Sequence, residues 1–374
     1  MIGIEQKKFM KTTEHKNLAV ICIAAGRFQL PVILKAKSLG YTIVAIDQNK
    51  DAPGFEHADH KIFKSTYDAE QIVTELEKLD NKLKWVGVIN RSSGPPVISA
   101  AKICKHFNLP GVPVESAQSL INKDQMRIAC SKKNIPIPNY NIYEVNNCNS
   151  VSSDLLPIVA KPALSLIGKS GVSVIRSKDK IEPSIRYAAD NTINNKILLE
   201  EFLQGPDFSL ISFVNDGQLF PICLLEEINI EKKDGTISAK GYKTCDSGLN
   251  NWTQQAHHIA HNIISEFNIQ RSALMISFRS DSNKNLKLIE VHLDIGGDLM
   301  IEAFYPKAFN FDFLKLAVEM AVGISRGPLD IKVKPTAIFY NEGDALLADR
   351  GYKVFTANTP QILEDKILKA SLQN

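Results

Sequence analysis

Three stretches of the chain gather residue types able to manage a polyphosphate and the charge that moves when a phosphoryl group is transferred. The first is PIVAKPALSLIGKSGVSVIR, residues 157–176, where Lys161 ends an apolar run directly before Pro162 and a loop carrying Gly168 and Gly171 follows. The ammonium supplies a point charge for phosphate, and the glycines let backbone N–H groups approach its oxygens. A surface hairpin with a solvated lysine fits the same letters, and the Walker pattern GxxxxGK[ST] is absent. The second stretch is Glu200-Glu201-Phe202-Leu203-Gln204-Gly205-Pro206-Asp207, straight after the apolar run Ile197–Leu199. Such a strand end can sandwich a purine between apolar side chains, read its edge with main chain and accept from ribose hydroxyls with a carboxylate. An acidic turn between strands is the plain alternative. In the third, LIEVHLDIGGD at 288–298, Glu290, His292 and Asp294 share a strand face at a spacing of two, with Asp298 beyond. Carboxylates on one face suit magnesium bridging two phosphates, with Glu290 and His292 as candidate ligands, although the histidine could instead contact substrate. A polar strand end beside a glycine turn is the bland reading.

These residues need a scaffold, and the hydrophobic pattern supplies one. Residues 17–47 read as a buried strand, a small-residue turn, an amphipathic helix ending at Gly40 and a second strand ending at Asp47. A third strand at 60–63, a helix from about Asp68 to Leu79 and a fourth strand WVGVIN continue the alternation, which calls for a parallel sheet with helices on both faces. Asp47 invites a dinucleotide reading, but the turn Ala24-Ala25-Gly26-Arg27-Phe28-Gln29 keeps one glycine of GxGxxG, so side chains stand where pyrophosphate needs bare backbone. The prolines of IPIPNY stop the helix that contains Asn122 to Arg127. Strand, loop, strand is expected over 157–176. Two strands bent at Gly205-Pro206 are expected over 197–214, and a hairpin over 273–291. PTAIFY, YKVFTA and a final helix close the chain.

Composition narrows the classes. At 374 residues the chain exceeds one ordinary core, which favours two or three domains about a cleft. Lys plus Arg number 44 against 41 Asp plus Glu, with no basic stripe, so nucleic acid is not an expected partner. The six cysteines form no CxxC pair, which argues against a zinc site or disulfide framework and fits a reducing cytoplasm. Apolar runs such as Leu18–Ala25 are far short of the roughly 20 residues that span a bilayer. Residues 1–16, polar and lysine-bearing, read as a leader. Oligomeric state is not legible, a homodimer being the commonest for soluble enzymes.

With the three stretches in this order the chain resembles the ATP-grasp superfamily, particularly the branch holding biotin carboxylase, the purine-pathway carboxylating ligases and D-alanine:D-alanine ligase. The likeness extends to AAGRFQLPVILKAKSLGYTIVAIDQNKDAPGFEHADHKI and GVPVESAQSLINKDQMRIACSKKNIPIPNY. It implies an α/β protein with an N-terminal parallel-sheet domain at 17–113, a small lobe with a flexible glycine loop at 114–200, and a C-terminal ATP-grasp lobe at 201–374. It also implies ATP and magnesium as cofactors. Lys123 and Lys161 would meet phosphates, and Ser165 to Gly171 would close over them. Glu200, Glu201, Phe202 and Leu203 would form the adenine hinge, Asp207 would hold the ribose, and Glu290 would hold magnesium. Lys161, Glu290 and Asp294 are the expected catalytic residues. Where the family reads Glu-x-Asn-Pro-Arg, this chain has Glu290-Val291-His292-Leu293-Asp294, and Ser277 stands where the family places an acidic ligand. Arg279 and Arg271 are candidates for the missing arginine. The implied activity is activation of a small carboxylate as an acyl phosphate and transfer to an amine. The alternatives are a nucleotide-binding regulatory protein with a degenerate site, or an ATP-grasp kinase or carboxylating ligase.

Overall fold

The computed structural model describes residues 17–147, 153–165, 169–245, 250–294, 296, 297, 299–341, 349 and 351–371. The leader at 1–16, Cys148, Gly168 and Asp298 lie outside the described residues. Along the chain come β1 (Leu18–Ile23), α1 (Leu30–Ser38), β2 (Thr42–Ile46), β3 (His60–Ile62), α2 (Ala69–Glu77), β4 (Lys84–Asn90) and α3 (Pro95–His106). Next are α4 (Val114–Ile121), α5 (Lys123–Lys132), β5 (Tyr140–Glu144), β6 (Ile158–Pro162), β7 (Ser173–Ile175), α6 (Ile181–Asp190) and β8 (Lys196–Glu201). Long strands follow: β9 (Asp207–Asn215), β10 (Gln218–Glu231) and β11 (Ile237–Thr244), then α7 (Asn250–Glu266), β12 (Arg271–Ser280) and β13 (Leu286–His292). A π-turn at Met300–Phe304 leads into α8 (Tyr305–Ala308), α9 (Phe313–Ala321), β14 (Thr336–Tyr340), β15 (Tyr352–Thr356) and α10 (Pro360–Ser371). No described helix is long and apolar enough to cross a membrane.

Two compact units divide the chain, 1–114 with 314–325 and 115–313 with 326–374. In the first, β3-β2-β1-β4 form a parallel sheet. Its strands are continuous runs of apolar residues because both faces are covered. Ala19, Ile21 and Ile23 point to one side with Ile72, Leu76 and Ile103 of α2 and α3. Val20 and Cys22 point to the other with Val32 and Ile33 of α1 and Val318 of α9. The expectation put all of 201–374 in the C-terminal lobe, but 314–325 packs here because α9 supplies the apolar cover this second face needs. Asp47 accepts from the N–H of Ala25 at 2.9 Å and of Asn49 at 2.9 Å, so its carboxylate fastens the turn after β1.

The second unit holds two antiparallel sheets. The small one runs β5-β8-β6-β7. Ile185 and Ala188 of α6 pack on Ile158, Ala160, Ile197 and Leu199. The large one runs β13-β12-β9-β10-β11-β14-β15, so β14 and β15 extend it through β11. Alternation splits this sheet into an apolar face and a polar one. Phe208, Leu210, Ile276 and Phe278 are buried on one side, where Phe208 meets Trp252 of α7 with ring centroids 4.8 Å apart. Ser209, Ser277 and Glu290 are neighbours on the other, through the registers Ser277↔Ser209 and Ser277↔Glu290.

One close approach fixes the packing of the first unit. A Cβ at Gly87 of β4 would lie 2.2 Å from the carbonyl oxygen of Ala321 at the end of α9. We expect Gly87→Ala to lower stability by ~1–3 kcal/mol, the range for overpacking, measured as the urea midpoint; an unchanged midpoint would contradict this packing.

Candidate functional site

The polar face of the large sheet and the strand ends of the small sheet carry most of the residues singled out in the sequence. Lys161 leaves β6 buried, and its Nζ lies 2.6 Å from Glu200 Oε2 on the neighbouring β8. The other side of that carboxylate receives Arg127 of α5, with Nε at 2.8 Å from Oε1 and Nη2 at 3.3 Å from Oε2. Arg127 is fully buried, and its Nη2 also donates to the carbonyl of Ile289 at 3.0 Å. Ile289 is the extra residue of a β-bulge, since Ser277 pairs with Glu290 and Phe278 with Leu288. A bulge strips a carbonyl of its ladder partner and re-aims the adjacent side chain. Here Arg127 takes the carbonyl, and Glu290 meets Lys123, four residues before Arg127 on α5, at 2.9 Å.

Two cations share one carboxylate in this interior. Burial lowers the Lys161 ammonium and Glu200 opposes that, but Arg127 competes for the same charge; the outcome is a pKa pushed down to about 8. Burial pushes Glu200 up, yet Arg127 and Lys161 together hold it below the usual carboxylate range. For Glu290, burial again works upward, and Lys123 and then His292 overcome it to leave a firmly ionised carboxylate.

The glycine loop springs from β6 and returns as β7. Gly171 has φ +77°, and a Cβ there would meet Asn191 at 2.7 Å and Pro162 at 2.8 Å, so glycine is required for the return. Lys169 reaches from this loop to Asn229 Oδ1 at 2.5 Å and to Glu227 Oε2 at 3.6 Å, both on β10. Past the loop, Arg176 grips Glu231 with two bonds of 2.8 and 2.7 Å, and the N–H of Val174 donates to Gly235 at 2.8 Å. Ser165 is described and half-buried, whereas Leu166 to Gly168 fall outside the described residues.

At the strand end after β8, the ring of Phe202 is met by two guanidiniums, Arg176 at 4.6 Å and Arg279 at 4.9 Å from its centroid. Arg279 also donates to the Leu203 carbonyl at 2.7 Å and to Asp207 Oδ2 at 3.2 Å. Asn229 donates to the same oxygen at 2.9 Å. Burial raises Asp207 and Arg279 only partly offsets it, so its pKa stays above the ordinary value. Glu201 donates its N–H to Asn139 at 2.9 Å, and its carboxylate takes Asn139 and Lys287.

Four of the expected residues have defined partners in the structure. Glu200 is no hinge residue open to a base; it is the buried counterion of Lys161 and Arg127. Asp294 accepts from the N–H of Gly296 at 2.8 Å through Oδ1, within the turn that follows β13. Arg271 pairs with Asp216 at 3.0 Å, six residues along β12 from Ser277, about 20 Å at strand rise, so it cannot replace an arginine at the site. His292 stands 3.7 Å from Glu290, and an imidazole is a poor donor for magnesium. Two groups were missed altogether, Arg127 and Glu227. Arg127 had a faint signal, its i+4 spacing from Lys123; Glu227 had none, because nothing in a strand of alternating letters tells which acidic residue faces inward.

Among the described residues no three His, Cys, Asp or Glu side chains converge to hold a metal ion. Magnesium needs only one or two carboxylates when phosphates supply the remaining oxygens. Glu290, an ionised oxygen donor on the polar face, fits an ion carried in by a nucleotide and not one caged by the protein.

No family model matches the chain. Among curated proteins it is 26% identical over 194 residues to formate-dependent phosphoribosylglycinamide formyltransferase of Methanocaldococcus jannaschii, covering 50% of this chain and 48% of that one. The chain thus aligns with about half the length of the curated relatives it matches. Among solved structures, the L-amino acid ligase of Bacillus licheniformis superposes with a TM-score of 0.71 at 18% identity, over 88% of this chain and 81% of that one. Carboxyaminoimidazole ribonucleotide synthase of Aspergillus clavatus, solved with ATP, gives 0.74 at 12% identity, over 93% and 96%. With an N-terminal parallel sheet followed by two antiparallel sheets, and with these superpositions, the chain has the fold of the ATP-grasp enzymes.

Proposed function

We propose that the protein is an ATP-dependent ligase that joins a small carboxylate to an amine. The observation that carries this reading is the polar cradle of Lys161, Lys123 and Glu290, with the glycine loop beside it. Its two ammonium groups suit the negative charge of a triphosphate. Lys161 and Lys123 would offset phosphate charge. The backbone and ring at Glu201, Phe202 and Leu203 would seat the base, and Asp207 would accept from the ribose. Ser165, Gly168 and Gly171 belong to the loop that would close and exclude water. Magnesium, held by Glu290 and phosphate oxygens, would neutralise charge on the transferring group.

In the first step a carboxylate oxygen attacks the γ-phosphorus. The new O–P bond forms as the bond to the bridging oxygen breaks, and ADP leaves. In the second step the amine nitrogen attacks the acyl carbon. A C–N bond forms, the C–O bond to phosphate breaks, and the nitrogen gives up a proton as inorganic phosphate departs. No side-chain nucleophile is required. The superposed L-amino acid ligase supports a carboxylate and an amine as the substrate classes. Ser277, where an acidic residue was expected, keeps one rival in view: a protein that binds nucleotide without turnover.

Carboxylate-dependent ADP release across panels of acids and amines is the expected outcome, and nucleotide binding with no turnover for any pair favours the rival. Glu290→Gln should abolish ADP release while leaving metal-free ADP affinity within about threefold, read by calorimetry. The Lys161 ammonium is fully charged below its pKa of about 8 and loses its proton above it. ATP affinity should therefore fall as pH rises from 8 to 9.5, by up to about tenfold per unit. Lys161→Met should bind about tenfold or more weakly at pH 7 and lack that slope; an identical slope in the variant would remove Lys161 from the site.

A further inference from the structure

Glu227 is a carboxylate that the reading above leaves without work. It lies on β10, its side chain only 7% exposed. Oε1 accepts from the hydroxyls of Ser209 and of Ser277, the latter at 3.0 Å. Oε2 faces the ammonium of Lys169 at 3.6 Å. Both serines are small, so the room about the carboxylate is set by β9 and β12, the strands that separate β10 from Glu290 on β13. Ser277 pairs directly with Glu290, which puts Glu290 and Glu227 on the same face of the sheet, on either side of one serine hydroxyl.

The two carboxylates share a second property, for each is met by a lysine that would be wanted by phosphate. Lys123 holds Glu290 at 2.9 Å, and Lys169 of the glycine loop holds Glu227. A buried carboxylate without a cation is costly. If phosphates draw both lysines away, each carboxylate needs a new positive charge, and phosphate oxygens beside it would repel it until one arrives. A divalent ion between carboxylate and phosphate meets that demand, and hard oxygen donors are what magnesium and manganese select.

We propose that Glu227 is a cation-binding residue of the loaded site, occupied by the Lys169 ammonium when nucleotide is absent and by the divalent ion accompanying the nucleotide when it is present. Glu227 thereby supplies, from two strands away, the negative charge that Ser277 does not. This rests on the nucleotide reading of the site, and the experiment separates the two. Binding of ADP to the wild-type chain is measured first in EDTA and then with manganese, whose electron paramagnetic resonance signal reports free ion directly. No ADP binding at all would sink the nucleotide reading.

Given that binding, Glu227→Gln, which keeps the acceptor for both serines, should hold ADP in EDTA within about threefold but weaken manganese in the ADP complex at least about tenfold. Because the Ser277 hydroxyl is 3.0 Å from Glu227, a carboxylate placed at 277 reaches the same space, and the double variant S277D/E227Q should recover most of the manganese affinity. Manganese held as tightly by E227Q as by the wild type, or equal loss of ADP in EDTA, overturns the proposal. Should E227Q fail to fold, the double variant is read alone, and a folded S277D/E227Q that does not hold manganese overturns it as well.

Discussion

Everything in the candidate site leans on one buried carboxylate. Glu200 neutralises Lys161 and Arg127 at once and is only 3% exposed. Three charges in such a place carry a desolvation cost of several kcal/mol per ion, recovered only when the geometry is good and the remaining donors are used. The fork of Arg127 meets Glu200 on β8 and the Ile289 carbonyl on β13, while its buried Nη1 has no hydrogen-bond partner among the described residues. A helix and two different sheets are thereby tied to a single side chain. The arrangement leaves Lys161 with half a counterion, an ammonium able to accept further negative charge.

The same geometry accounts for the polar face. The bulge at Ile289 would leave its carbonyl unsatisfied without Arg127, and without the bulge the face of β13 that carries Glu290 would run one residue out of step with Ser277. Lys123 and Arg127 stand one helical turn apart on α5, so the helix delivers one cation to each sheet. Beyond them Ser277, Ser209 and Glu227 continue the face across β12, β9 and β10, under the loop that carries Lys169.

Much of this was legible as pattern. Alternation and strand-helix order reveal the parallel sheet, the two hairpins and the placement of Lys161 and Glu290 at strand ends, because burial on both faces and period-two polarity leave direct marks in the letters. What was not legible depends on register and on contacts distant along the chain. Glu200 and Glu201 are adjacent and alike in sequence, and only the strand's two faces decide that one is a buried counterion and the other a half-exposed partner of Lys287. Asp294 stands at spacing two from His292 in sequence, and only the turn shows that the N–H of Gly296 takes its Oδ1. Residues 314–325 return to the first sheet to cover a face that no local signal describes.

The central claim is that Glu200 holds the two cations for a nucleotide and holds the fold about them. Thermal melting of wild type and Glu200→Gln, each with and without ADP, tests it most directly. The account predicts a loss of ~3–5 kcal/mol in the variant, as for removing one partner of a buried ion pair, and no upward shift on adding ADP at a concentration that raises the wild-type midpoint by several degrees. A variant as stable as wild type and equally stabilised by ADP would contradict it.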